Sequence, residues 1–96
     1  MKTAIIYVRG HNHLTQEIQC REYAFKKGYK IKFTTTDLNA VTDCDVLIIT
    51  NPSRISRDQL KHYGTVTEFK AKGIEVEIAT DHEDIDFGRL AKSLLK

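Results

Sequence analysis

Hydrophobic positions along the chain fall into short runs of two kinds. Residues 3–8 and 44–50 are continuous apolar, β-branched stretches, which predict strands buried on both faces. Residues 29–36 alternate between apolar and polar positions and predict a further strand. The alternation Ile-Glu-Val-Glu-Ile within residues 74–79 predicts a less buried strand near a sheet edge.

A first helix is predicted over residues 15–27, between the first two strands. Thr15 or a neighbour can cap its start, and Gly28 ends it. The apolar side chains available for its buried side are Ile18, Cys20, Ala24 and Phe25.

Two further helices are predicted in the second half of the chain. One runs from about residue 56 to residue 72 and stops at Gly73. Its apolar residues recur every three positions and predict a core-facing stripe of Leu60, Tyr63, Val66 and Phe69. A short final helix over residues 87–96 is predicted to turn Leu90, Leu94 and Leu95 inward.

The element order is therefore β-α-β-β-α-β-α. Strands separated by helices predict a single α/β domain over residues 1–96, a three-layer sandwich around a central, mostly parallel sheet of four strands. The two fully apolar strands belong side by side at the centre of that sheet. Ligands bind such sheets at the carboxyl ends of the strands, so the segments after Val8 and after Thr50 are the places to look for chemistry.

Composition narrows the class of protein. The chain has 96 residues, which is enough for one hydrophobic core, and its 41% hydrophobic and 29% charged residues exclude a disordered or membrane-spanning chain. The first apolar run is short and ends at Arg9, which is not a secretory signal, so Cys20 and Cys44 are expected to be reduced thiols in the cytoplasm. A net charge of +2 means that nucleic-acid binding would depend on local arrangement.

Three arginines follow the two central strands. Arg54 and Arg57 stand three apart, at the predicted opening of a helix, and Arg9 directly follows the first strand. Guanidinium groups and the free N–H groups of a helix start are both donors that suit a phosphate. The sequence therefore predicts one anion site. The alternative is a solvated surface on which the arginines pair with acidic neighbours such as Asp58 or Asp37.

Several short segments carry a resemblance to a known family. Arg54-Ile55-Ser56-Arg57 matches the Asp-Arg-Leu-Ser-Arg motif of serine recombinases, the resolvase/invertase group. The other matching segments, in the family's order, are residues 4–9, Gln16, residues 20–24, residues 27–29, residues 44–49, residues 72–76 and residues 88–90. The chain thus resembles the catalytic domain of that family, which implies a resolvase-like, flavodoxin-like sandwich.

The resemblance also implies a function, DNA strand breakage and rejoining. The site residues it carries over are Arg9, Gln16, Arg54 and Arg57, which would bind the DNA phosphate, and His11, which falls where the family has its nucleophilic serine. That chemistry needs no metal and no cofactor. The missing serine, a shortened loop over residues 9–16 and Ser53 in place of the motif's aspartate imply a catalytically inactive domain.

The expected partners follow from these departures. The chain stops soon after Leu90, where the family continues into a long helix for dimerisation and DNA contact, so a separate DNA-binding domain is not expected. We expect the domain to bind DNA phosphate or a full-length recombinase, with no membrane association. In solution we expect a monomer or a weak dimer.

Other assignments of the polar residues are open. Thr15 could replace the serine as nucleophile with His13 as base, although capping explains a threonine there more simply. His11 and His13 could bind a metal with Asp81, His82 or Glu83, but exposed polar residues are the simpler interpretation. A plain interaction module on an α/β scaffold is a third hypothesis.

Overall fold

Strands and helices alternate through the part of the chain that the structure, a computed structural model, describes: residues 1–51, 54–55 and 58–79. In chain order the elements are β1 (Thr3–Tyr7), α1 (His13–Lys27), β2 (Lys30–Thr35), a 3-10 turn (Leu38–Ala40), β3 (Val46–Ile49), α2 (Gln59–Ala71) and β4 (Glu75–Ile78). The predicted final helix over residues 87–96 lies outside the described residues.

The four strands form one sheet in the order β2-β1-β3-β4, and all of its neighbouring pairs are parallel. The predicted α/β fold with a parallel four-stranded sheet is confirmed. So is the central pairing, in which Ile5 of β1 lies opposite Leu47 of β3. The strand order reverses between β1 and β3, since β2 lies on one side and β4 on the other. The carboxyl ends of β1 and β3 therefore flank the switch point at which such sheets hold their ligands.

Alternate side chains of the central strands point to opposite faces and build two separate cores. Ala4 and Ile6 pack with Cys20 of α1, whereas Ile5 and Tyr7 pack with Phe69 of α2. The two helices thus cover opposite faces of the sheet, as a three-layer sandwich requires. No helix within the described ranges is long and apolar enough to cross a membrane.

The buried side of α1 differs from the predicted one. Its buried residues are Gln16, Cys20, Tyr23 and Ala24, which recur at steps of four, three and one. The prediction was wrong for Ile18 and Phe25, which are 48% and 86% exposed. Phe25 is nine residues from Gln16, about two and a half turns, and so lies on the opposite side of the helix. A prediction from hydrophobicity alone fails here because Gln16 and Tyr23 occupy core-facing positions.

The predicted stripe on α2 was wrong at its start for the same geometric reason. Phe69 is buried, but Leu60 and Tyr63 are 83% and 72% exposed. A repeat of three residues falls short of the 3.6 of a helical turn, so the stripe drifts around the helix and Leu60 ends opposite Phe69. His62, seven residues before Phe69 and about two turns away, occupies the inner face there instead, and its Nδ1 is buried.

Candidate anion-binding site

The carboxyl ends of the two central strands carry the polar side chains of this site. Arg9 comes two residues after β1, and Thr50 directly follows β3. Arg54 lies four residues further along the connection to α2. Since β1 and β3 are neighbouring parallel strands, both connections leave the sheet at the same place.

Arg54 is held by both connections. Its Nε donates to the hydroxyl of Thr50 at 3.2 Å, and its Nη1 donates to the backbone carbonyl of Arg9 at 3.0 Å. The Thr50 side chain is itself only 2% exposed. The guanidinium of Arg54 therefore has a fixed position above the end of β1.

Arg9 in turn binds the connection that carries Arg54. Its Nη1 donates to the backbone carbonyl of Ile55 at 3.1 Å. Each of the two guanidinium groups thus binds the backbone of the other arginine's connection. The hydrogen-bond acceptors are carbonyl and hydroxyl oxygens, which carry no net charge.

Carboxylates do not neutralise this pair within the described residues, where the ion pair found is that of Glu17 with Arg21 on α1. The two aspartates considered as counter-charges each accept a backbone N–H. Asp37 accepts the N–H of Asn39 at 2.9 Å, and Asp58 accepts the N–H of Leu60 at 2.9 Å. The structure therefore brings Arg9 and Arg54 to the same edge of the sheet, and neither forms an ion pair with a carboxylate of the described residues.

The buried side chain of Gln16 binds the backbone of the connection between β1 and α1. It is 3% exposed, and its Oε1 accepts the N–H of Arg9 at 3.1 Å. Its Nε2 donates to the carbonyls of Arg9 and His11 at 2.8 and 2.7 Å. The resemblance implies that Gln16 binds phosphate, whereas here the whole amide is bonded to the backbone. In this arrangement Gln16 positions the carbonyl to which Arg54 binds.

Gly10 is required by the close approach of Arg54. Its φ of 81° lies in the left-handed region, and a Cβ there would stand 3.2 Å from Nη1 of Arg54. A side chain at this position would strain the backbone and press on the guanidinium. The sequence contained the glycine but offered no sign of its contact.

The start of α1 adds backbone donors beside this connection. The helix begins at His13 after Asn12, whose side chain makes no capping hydrogen bond. Thr15 is the third residue of the helix, so the prediction that it caps the helix was wrong. The first helical bond runs from the N–H of Gln16 to the carbonyl of Asn12 at 3.0 Å. The amides of residues 13–15 precede that bond, so the positive end of α1, without a capping side chain at Asn12, lies on the same connection as Arg9.

The remaining predicted site residues fall in two classes. His11 and His13 are exposed, and His11 contributes its backbone carbonyl to Gln16. Arg57 lies outside the described residues, as do Ser53 and the acidic loop proposed as metal ligands. Within the described part of the chain, no group of three or more metal-binding side chains occurs.

The predicted position of Arg54 needs one correction. The helix expected from residue 56 begins at Gln59, because Asp58 caps it. Arg54 therefore lies in the connection before α2 and not in the first turn of α2. The positive end of α2 is occupied by the carboxylate of Asp58 and does not add to the site.

A second cluster joins Tyr23 of α1 and Tyr29, the residue before β2, to Glu77 of β4. Glu77 of β4 accepts a hydrogen bond from the hydroxyl of Tyr23 at 2.6 Å, and its two carboxylate oxygens accept from the hydroxyl of Tyr29 at 3.0 and 2.9 Å. Burial raises the pKa of Tyr23 well above its ordinary value, and the bond to Glu77 adds to the increase. Burial and the same acceptor raise the pKa of Tyr29 to about 12. The sequence pattern missed this cluster, because the alternation around Glu77 is typical of a solvated side chain.

No family model, curated protein or solved structure matches this chain. The likeness to serine recombinases thus rests on the short sequence segments alone. The chemistry of the site depends on Arg9 and Arg54 and on the groups that hold them.

Proposed function

We propose that this domain binds a phosphate group of DNA between Arg9 and Arg54 and does not cut the strand. It would act in the cytoplasm as a serine-recombinase-like domain, on DNA directly or beside a full-length recombinase. The observation that carries the proposal is the pair of guanidinium groups fixed by neutral acceptors.

Electrostatics favour an anion at this position. Two neighbouring positive charges repel each other, and a phosphate relieves that repulsion while accepting several charge-assisted hydrogen bonds. Each guanidinium uses only part of its five donors on the protein, so donors remain for a ligand. The amides at the uncapped start of α1 lie on the same connection as Arg9 and would add donors for a phosphate.

His11 is the reason that we expect the domain not to cut the DNA strand. This residue stands at the serine position of the resemblance, and its side chain is exposed. Among the described residues it has no hydrogen-bond partner that would orient the imidazole for attack on phosphorus. A nucleophile needs such an orienting or activating neighbour.

The test is binding of a fluorescent duplex oligonucleotide measured across a salt series. One neutralised phosphate predicts a slope of about −1 for log K against log salt. Arg9→Ala and Arg54→Ala should each weaken binding and bring that slope closer to zero.

Arg21→Ala is the matched control, since Arg21 is an exposed arginine already paired with Glu17 at 2.9 Å. It should leave both affinity and slope unchanged. Equal losses in all three variants would mean that binding depends on overall charge, and the proposed site would be refuted. The proposal also fails if the unmodified protein binds neither the oligonucleotide nor inorganic phosphate.

A second candidate function, strand cleavage with Thr15 as nucleophile, is favoured by one observation. Thr15 is exposed in the first turn of α1, so capping no longer explains it. Incubation with supercoiled DNA and a denaturing gel separate the two candidates. A protein–DNA adduct that disappears in Thr15→Ala would establish cleavage and overturn the proposal of binding alone.

A further inference from the structure

The outward side of α1 carries a line of apolar side chains that the two cores leave uncovered. Leu14, Ile18 and Phe25 are 70%, 48% and 86% exposed. Arg21 lies on the same line, and its side chain is 52% exposed. We call these four residues the outer stripe.

The outer stripe is a patch and not a set of scattered exposures. Single exposed apolar residues are normal on protein surfaces. Here Leu14 and Phe25 lie about 16 Å apart along one side of a single helix, with Ile18 between them. Apolar groups aligned in this way mark an interaction surface.

The spacing of the outer stripe is that of a coiled-coil seam. Its steps of four, three and four correspond to heptad positions d, a, d and a, with Leu14 at d and Ile18 at a. The series reads the same in both directions. An antiparallel copy of the helix would therefore place Leu14 against Phe25 of the second copy, and Ile18 against the aliphatic stem of Arg21.

Charges beside the seam select the antiparallel arrangement. In that orientation Thr15 faces Glu22 of the second copy and Glu17 faces Ala24, so like charges do not oppose each other. A parallel pair would instead stack Arg21 on its own counterpart. Like charges directly opposed are unfavourable, and the parallel arrangement is rejected.

From this spacing and charge pattern we infer that the outer stripe is the contact surface for a second copy of this chain, with the two α1 helices antiparallel about a two-fold axis. Such an isologous contact is the commonest form of homodimer. Three or four turns of one helix bury less than the roughly 800 Å² per partner of a stable interface, so the dimer is weak. The inference is independent of the phosphate site.

Sedimentation equilibrium across a concentration series tests this contact. The average mass should rise from 11.0 kDa toward twice that value as the concentration approaches about 1 mM. Phe25→Ser should weaken association at least about tenfold. Leu60→Ser is the matched control, because Leu60 is 83% exposed on α2 and lies outside the stripe.

Two further variants test the orientation. Thr15→Glu places a carboxylate opposite Glu22 and should weaken the dimer, whereas Arg21→Leu removes the charge from the seam and should strengthen it. A mass of one chain at every concentration overturns the inference. So does an equal loss in Leu60→Ser and Phe25→Ser. A dimer that is sensitive to Phe25→Ser but indifferent to Thr15→Glu overturns the antiparallel arrangement.

Discussion

The arginine pair and the glutamate–tyrosine cluster fix their charged groups in opposite ways. Arg9 and Arg54 donate to two backbone carbonyls and a hydroxyl, all of them neutral. Glu77 also has neutral partners, but it accepts three hydrogen bonds from two phenols, of which Tyr23 is buried and Tyr29 partly buried. The carboxylate therefore uses its acceptors within the fold, whereas the arginines keep N–H donors that can bind an anion.

Each cluster is therefore suited to a different role. A neutral acceptor orients a guanidinium without cancelling its field, so the edge of the sheet stays positive and open to an anion. The hydroxyls around Glu77 satisfy a charge that would be costly to enclose alone. One cluster is thus arranged for binding, and the other ties β4 to α1 and to the start of β2.

The largest effect on folding should come from Gln16, which supports the arginine pair from inside. Gln16→Leu leaves the N–H of Arg9 and the carbonyl of His11 without their side-chain partner, and leaves the carbonyl of Arg9 with Arg54 alone. We expect the free energy of unfolding to fall by about 2–4 kcal/mol, from unpaired groups that cost about 1–3 kcal/mol each when buried. Urea denaturation followed by circular dichroism measures the change.

Gln19→Leu on the same helix is the control for Gln16→Leu. Gln19 makes no hydrogen bond to a described residue, and we expect a change within about 0.5 kcal/mol. If both glutamines cost the same, the backbone contacts of Gln16 contribute nothing measurable. The site would then be positioned by the strands alone.

The fold could be predicted because it depends on coarse features of the chain. Two continuous apolar runs, two alternating runs and the helical stretches between them determine a parallel sheet with its apolar strands at the centre. The inner faces of the helices could not be predicted, because Gln16 and Tyr23 use polar groups that a hydrophobic pattern counts against burial. On α1 a glutamine is buried so that it can bond to backbone seven and five residues away.

The sequence predicts that the connections after β1 and β3 lie side by side, but it does not predict which groups hold the two arginines. Strand adjacency alone brings Arg9 and Arg54 together. The Thr50 hydroxyl and the Ile55 carbonyl carry no sequence signal, since any residue supplies a carbonyl and a threonine often ends a buried strand. The contacts of Glu77 join positions 48 and 54 residues apart in sequence, which no local pattern encodes.

An intermediate effect is expected from alkaline pH at the glutamate–tyrosine cluster. The pKa of Tyr29 is about 12 in the folded chain against an ordinary value of 10.0, so the folded chain keeps a proton that the unfolded chain has lost. The stabilisation is complete below pH 10 and is lost as the pH rises toward 12. Because this hydroxyl is partly exposed, we expect a loss of no more than about 1 kcal/mol.

Tyr29→Phe isolates that contribution from the other groups that titrate at high pH. The difference in unfolding free energy between the parent and this variant should shrink between pH 10 and pH 12. Glu77→Gln should make the decline shallower by removing the charge opposite the phenol. A difference that stays constant over this pH range would show that the hydroxyl does not titrate with folding.

The smallest effect on folding is expected from Arg54→Lys. This variant also separates the charge of Arg54 from the geometry of its guanidinium. Lysine keeps the charge but lacks the planar fork, so it cannot bond to the Thr50 hydroxyl and the Arg9 carbonyl while also facing a phosphate. The free energy of unfolding should change by less than about 0.5 kcal/mol. Oligonucleotide affinity should fall about tenfold, while the salt slope stays the same because the number of charges does.

Affinity and salt dependence together therefore separate geometry from charge at this position. If Arg54→Lys binds as tightly as the parent, the site offers only positive charge, and the fixed fork has no role. If its stability falls by more than about 1 kcal/mol, Arg54 belongs to the scaffold as Glu77 does, and the contrast between the two clusters disappears. Weaker binding at unchanged stability and unchanged slope is the result expected of an arginine that the fold holds ready for an anion.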